Sequence, residues 1–365
     1  MPTADELLGP DVAAHLVRGI ARIAPGSRLP TLRRAAKGLA GLSLRERSDL
    51  LKDALLADLP GDYPSLDRQF RAALADPGFT GWLVWPVTEA VSARALAQDP
   101  PALAEALALL AALTPRLTAE FAIRPLLSAD LDQALPIIQT WTRDPDEHVR
   151  RLASEGTRAH LPWARKVRPI LDRPERTIPI LDALYRDESE YVRRSVANHL
   201  NDLSRTEGDL VVATAARWLA EPAEHTPRLV RHALRTLIKK GHPEALALLG
   251  FAPVAGVLVH GPELAGRTVA IGAELPFAVR LENTGASPAT LAVDYVVHHL
   301  KANGKRTPKV FKLTTCVLAP GERITFSRRH SFKVISTRVY YPGEHEIEVQ
   351  VNGAASGRTA FRLTG

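Results

Sequence analysis

At 365 residues, 45% of them hydrophobic and 24% charged, the chain is long enough to bury two cores and has an ordinary globular balance. That excludes a small disulfide-stapled scaffold and wholesale disorder, and the single cysteine, Cys316, excludes an internal disulfide or a cysteine metal cluster. The net charge of +7 favours an anionic partner, and it is uneven: residues 254–365 hold 14 Lys and Arg against 8 Asp and Glu.

The N-terminal stretch to Val12 is acidic where a secretory signal is basic. The longest apolar run, Ala106 to Leu113, is closed by Glu105 and Pro115. A reducing, cytoplasmic setting without a membrane span is expected. From Leu50, Leu51, Ala54 and Leu55 through Leu103, Ala106, Leu107 and Leu110, apolar residues recur three and four apart, the period of an amphipathic helix. The chain to about residue 250 therefore reads as all-helical, and it repeats. Val149-Arg150-Arg151 falls on Val192-Arg193-Arg194 at an offset of 43 residues, each after an acidic turn, and Val230-Arg231 follows 38 residues later. A period near 40 of this kind resembles HEAT repeats, antiparallel helix pairs stacked into a solenoid whose inner helices line one face.

After Phe251 the texture changes to short strand-like runs, Val257 to Val259, Phe277 to Leu281, Leu291 to Val297 and Ile347 to Val351. They are separated by turn signals at Asn283-Thr284-Gly285, Ala302-Asn303-Gly304, Ala319 to Glu322 and Tyr341 to Glu344. The predicted fold is mixed: an all-α HEAT-like repeat solenoid over residues 1–253, then a small all-β sandwich over 254–365.

On the helix starting near His148, Arg151 and Glu155 share a face; one repeat on, Arg194 and Asn198 take the equivalent positions, with Asp202 a turn further. A third helix near Glu120 to Arg124 puts those two residues on one face. The plain alternative is that these are i,i+4 ion pairs on a solvated surface. Arg150, Arg151, Arg193, Arg194, Arg231, Arg235, Lys239 and Lys240 form a ladder that fits a polyanion backbone; equally, each Val-Arg pairs with the acidic turn before it. Trp163 lies in a loop-like stretch, where it caps the core or stacks on a ligand, whereas Trp82 and Trp85 read as packing. No Gly-rich phosphate loop, HExxH or nucleophile elbow is present, and His298 and His299, adjacent on a strand, cannot both point inward to one metal. In the sandwich, Lys301, Lys305, Arg306, Lys309 and Lys312 surround Asn303-Gly304, and Arg328, Arg329, Lys333 and Arg338 follow with only Glu322 as an intervening acid. They suit a nucleic-acid backbone or, alternatively, protect a sheet edge.

Three long strings, Thr118 to Pro125, Asp144 to Arg158 with Leu161-Pro162-Trp163-Ala164, and Tyr191 to Asp202, resemble the AlkC branch of the bacterial HEAT-like DNA alkylation-repair glycosylases. Val293 to Gly304, Pro308 to Leu313 and His330 to Gly343 resemble the immunoglobulin-like domain appended to many members of that branch. The resemblance covers essentially the whole chain. It implies hydrolysis of the N-glycosidic bond of cationic alkylated bases, chiefly 3-methyladenine and 3-methylcytosine, in double-stranded DNA, by a monofunctional enzyme with no metal or other cofactor and no lyase lysine. By position it implies Glu120, Glu155 and Asp202 as the acidic active-site residues and Trp163 as the site-lining tryptophan. Arg151 and Asn198 are added from the helix face, and Arg158 joins the ladder and sandwich cations as a DNA contact. A monomer is expected, with the solenoid groove and the sandwich holding a kinked duplex. The competing classes are a non-catalytic DNA-binding scaffold and a protein-interaction module.

Overall fold

A computed structural model describes residues 3–251, 255–336 and 338–365, and divides the chain into two compact units, Met1–Ala233 and Leu234–Gly365. The boundary expected between residues 253 and 254 lies outside the described residues. No helix among the described residues is long and apolar enough to cross a membrane.

The first unit is helical throughout. Its helices start where short polar side chains satisfy free backbone N–H groups: Ser43 and Glu46 form a capping box on Leu44–Asp58, Asp130 caps Leu131–Thr140, and Asp146 accepts from His148 N at 2.7 Å to start Glu147–Gly156. The repeat seen in the sequence recurs in contacts. The Asp144 carboxylate accepts from Asp146 N and the Asp187 carboxylate from Ser189 N, both at 2.9 Å, forming the same tight turn twice. Arg150 then donates to the carbonyls of Asp144 and Pro145, as Arg193 does to those of Asp187 and Glu188. Val149, Val192 and Val230 all point into the core. Helix Glu147–Gly156 packs against Glu190–Leu203, which packs in turn against Thr226–Ala233. Gly156 marks a close approach: a Cβ there would stand 2.1 Å from Cδ1 of buried Ile123.

The second unit is a two-sheet sandwich. Its strands are β1 (Val257–Leu264), β2 (Thr268–Ala270), β3 (Glu274–Asn283), β4 (Ala289–Leu300), β5 (Arg306–Leu318), β6 (Arg323–Ser331), β7 (Gly343–Val351) and β8 (Ala354–Thr364). One sheet runs β1-β3-β6 and the other β2-β8-β7-β4-β5; β2 pairs parallel with β8 and the remaining pairs are antiparallel. Leu275, Phe277, Val279 and Leu281 alternate inward on β3 and meet Leu291, Val293, Tyr295 and Val297 of β4 in one core. Asn352 and Gly353, both at positive φ, close the β7–β8 hairpin, a turn the sequence reading passed over. Helices Arg235–Lys239 and Pro243–Leu248, read in the sequence with the helical part, belong to this compact unit, where Leu246 packs with Phe251 and Ala292.

Candidate active site

Glu120, Glu155 and Asp202 are drawn together by arginines. The expected helix over Glu120 to Arg124 begins only at Ile123, because the Glu120 N–H is taken by the Thr118 hydroxyl at 3.3 Å in a side-chain-closed turn. Glu120 and Arg124 therefore form no i,i+4 pair. Glu120 instead accepts through Oε2 from Arg151 and from the Thr118 hydroxyl, and Arg151 Nη1 also reaches the Thr118 oxygen at 3.1 Å. Arg151 Nη2 stands 3.5 Å from Glu155 Oε1, the pair expected from the sequence. Arg158 completes the chain of charges, donating from Nη1 to Glu155 Oε1 at 2.6 Å and from Nε to Asp202 Oδ2 at 2.8 Å.

Glu155 is the hub. Burial pushes its carboxyl up, but Arg151, Arg158 and the Ser195 hydroxyl, which donates to Oε2 at 2.7 Å, together hold it below the usual carboxylate range. It is an anion at neutral pH. Burial works against the Arg158 cation, and Asp202 and Glu155 more than restore it. All three acids are buried, so this is not the solvated surface of the plain alternative. Such a network is costly to desolvate and depends on its full set of partners. Among the described residues, the hydrogen bonds to Glu120 fall on Oε2 and those to Asp202 on Oδ2, leaving the second oxygen of each uncommitted.

Around this core the site is aromatic. Tyr191 lies under the Arg151 guanidinium, 5.1 Å from ring centroid to Cζ. Phe121, next to Glu120, lies tilted against Trp85 with ring centroids 5.4 Å apart; Trp85 is buried, touches Trp82 edge-on, and donates to Glu89, as the packing reading expects. Trp163 is the opposite case: its side chain is 88% exposed and its backbone is left-handed at φ 60°. The core-cap alternative for Trp163 is not what the structure shows.

Behind the acids, fully buried His199 donates from Nδ1 to the Ser154 carbonyl at 2.9 Å, joining helices Glu147–Gly156 and Glu190–Leu203. Burial depresses its pKa to about 4, and in the sandwich burial likewise depresses His299 to about 3 and His330 to about 4. Between those values and the ordinary histidine range the unfolded chain binds more protons than the folded one, so stability falls as pH falls through that window. We expect the melting temperature to drop between pH 7 and 4.5. His199→Gln should flatten that dependence, since this ring alone contributes on the order of 3 kcal/mol across the window. An unchanged pH slope in this variant would contradict the assignment.

The cation ladder separates by role. Arg150, expected as a DNA contact, is buried and holds Asp187 of the next repeat through Nε at 2.7 Å, a staple between repeats. Arg193 is committed to its acidic turn in the same way, Arg151 and Arg158 to the carboxylates. Arg158, expected as a DNA contact, is 7% exposed. Arg194 and Arg231 are exposed; among the described residues Arg194 reaches only Glu190, at 3.5 Å, and Asn198 stands 3.0 Å from His232.

In the second unit Arg235 is half-buried and Lys239 exposed. Arg306, Lys309 and Lys312 lie on β5, and Arg328 and Arg329 on β6, each an edge strand of its sheet. Arg306 is tied to Glu344, Arg329 stands 3.8 Å from Glu274, and Lys312 faces Asp294, whose carboxyl burial pushes up to about 6. Lys305 and Lys333 are exposed. Lys301, Lys309 and Arg338 converge with Asn303 and Tyr341 on one hollow. His298 reaches Glu348 at 3.2 Å while His299 enters the aromatic core, on opposite sides of β4, as the strand alternation predicts.

Sequence reasoning missed Thr118, Ser195 and Tyr191, and did not foresee that Arg158 bonds Glu155 and Asp202. Ser195 left a signal: at the 43-residue offset it falls on buried, apolar Leu152, so one repeat has a hydroxyl where the other has core.

Comparison with known proteins supports the same region. A family model described as "DNA alkylation repair enzyme" matches residues 117–240, and one described as the C-terminal Ig-like domain of the uncharacterised protein YhaZ matches residues 258–365. The YhaZ protein of Bacillus subtilis (strain 168) is 36% identical over 71% of this chain and 72% of its own length. The solved structure of Pseudomonas fluorescens alkylpurine DNA glycosylase AlkC, bound to DNA containing an abasic site analog, is 34% identical, covers 100% of both chains and superposes with a TM-score of 0.86.

Proposed function

Because this chain belongs to the AlkC family of DNA alkylation-repair enzymes, we propose that it is a monofunctional glycosylase that hydrolyses the N-glycosidic bond of cationic 3-methyladenine and 3-methylcytosine in duplex DNA. The observation that carries the reading is the gathering of three buried carboxylates, Glu120, Glu155 and Asp202, by Arg151 and Arg158. A scaffold has no use for so costly a cluster.

The chemistry suits these groups. A base with a formal positive charge is already a good leaving group, so no general acid has to protonate it. What remains is to stabilise the oxocarbenium-like sugar and to hold a water, and both tasks fall to carboxylates. Glu155, with both oxygens engaged, supplies fixed negative charge; the uncommitted oxygens of Asp202 and Glu120 are the acceptors for water and sugar. Trp163 offers its face to the cationic base, an interaction of about 0.5–2 kcal/mol that a neutral base would not gain in full. The AlkC relative was solved on an abasic site analog, the kind of product this reaction leaves.

For the duplex backbone, the hollow of Lys301, Lys309 and Arg338 fits a phosphate, and exposed Val339 lines it. Replacing both Lys309 and Arg338 by Glu should weaken duplex binding about tenfold or more and lower the salt slope by roughly 2, measured by anisotropy titration across a salt series. An unchanged slope would make these cations edge protection only.

The reading is tested by incubating methylated and unmethylated duplexes with the protein. Alkali-labile sites should accumulate in the methylated duplex alone, with no strand break before alkali. Salt-dependent binding without such sites would assign the chain to the scaffold class.

A further inference from the structure

We propose that Arg124 is a positioning residue for the active site: one buried guanidinium brackets the segment from Arg158 to Arg165 and so sets where Trp163 and Arg158 stand. The inference rests on the glycosylase reading above for its catalytic consequence. Arg124 is 1% exposed and spends its hydrogen bonds on main-chain carbonyls, donating from Nη1 to Gly156 at 3.0 Å and to Arg158 at 2.9 Å, and from Nε to Arg165. Among the described residues no carboxylate lies within ion-pair distance of it.

A buried cation without a paired anion is a poor way to fill a core. Burial and the neighbouring Arg158 cation pull its pKa down to about 10, so it keeps its charge at neutral pH and is held against its own preference. What it gains is geometric. The Gly156 carbonyl sits at the end of helix Glu147–Gly156, where unsatisfied carbonyls and the negative end of the helix dipole favour a cation. The Arg158 and Arg165 carbonyls lie on either side of Trp163. That residue adopts a left-handed backbone unfavourable to a bulky side chain, and its exposed ring makes little packing that would hold it there. A turn bond from Ala164 N to the Leu161 carbonyl closes the bend at Trp163 itself, and the planar fork of Arg124 grips the backbone on either side of that turn. The bond to the Arg158 carbonyl also fixes the backbone from which the Arg158 side chain reaches Glu155 and Asp202. A lysine at this position keeps the charge and cannot repeat the three-carbonyl geometry.

The test is a double-mutant cycle on single-turnover release of 3-methyladenine, with wild type, Arg124→Lys, Trp163→Ala and the double variant. Arg124→Lys should slow release about 10- to 100-fold in the wild-type background. In the Trp163→Ala background it should cost markedly less, because part of what it positions is gone. Equal fold losses in the two backgrounds, or a rate within about twofold of wild type for Arg124→Lys, would overturn the proposal. A second readout needs no turnover and stands even where wild type releases no base. Amide hydrogen exchange should lose protection over residues 157–166 in Arg124→Lys and in Arg124→Gln, while Val84–Leu96 and Glu190–Leu203 keep theirs. Uniform loss across the first unit, or failure of both variants to fold, would make Arg124 an ordinary core residue.

Discussion

Glu155→Gln is expected to lower the single-turnover rate of base release by about 10²–10³-fold while leaving duplex affinity within about threefold of wild type. The substitution is close to isosteric. A glutamine carbonyl still accepts from Arg158, and its amide can face the Ser195 oxygen, so the geometry of helix Glu147–Gly156 is largely kept. What is lost is one negative charge at the centre of the network. Arg151 and Arg158 then surround a neutral group, the local potential becomes more positive, and both the cationic base and the oxocarbenium-like sugar lose stabilisation that matters most in the transition state. Two guanidiniums losing a buried partner should also cost roughly 1–3 kcal/mol of stability, so a thermal melt must accompany the kinetics. Unchanged release would remove Glu155 from the chemistry and leave it a structural anchor for Arg158.

Ending the chain after Ala233 is expected to weaken duplex binding by about 10²-fold at physiological salt and to lower excision in step. The charge distribution is the reason. Residues 1–233 hold 30 Lys and Arg against 31 Asp and Glu, whereas residues 234–365 hold 17 against 9. In the first unit, moreover, Arg150, Arg151, Arg158 and Arg193 are already committed to protein groups. The cut is placed at Ala233 because the helices that follow it pack with the strands. Circular dichroism and melting would establish that the shortened chain remains folded. Wild-type affinity and turnover in that chain would show that the sandwich is dispensable for DNA.

Much of this was legible in the sequence because it rests on repetition and alternation. The 43-residue echo of Val-Arg-Arg after an acidic turn translated directly into matched turns and matched arginine contacts. The β region declared itself through alternation, as in Leu275, Phe277, Val279 and Leu281. What stayed hidden were choices between equivalent partners. The sequence places Arg124 four residues after Glu120, but the Thr118 turn delays the helix and frees Arg124 for carbonyls that are 32, 34 and 41 residues away. Likewise the two arginines of Val-Arg-Arg look alike in sequence, yet helix geometry turns Arg150 toward Asp187 and Arg151, about 100° further round, toward Glu120 and Glu155. Such assignments depend on contacts made across repeats, which a local reading does not hold.

The most direct measurement is the identity of what leaves the DNA. The full chain, incubated with duplex carrying 3-methyladenine or 3-methylcytosine at one position, should release that free base, detected by mass spectrometry, and leave an abasic site opposite an intact strand. Release from the methylated positions and none from unmodified adenine or cytosine is the predicted result. Retention of both methylated bases on a duplex that the protein demonstrably binds would contradict the account.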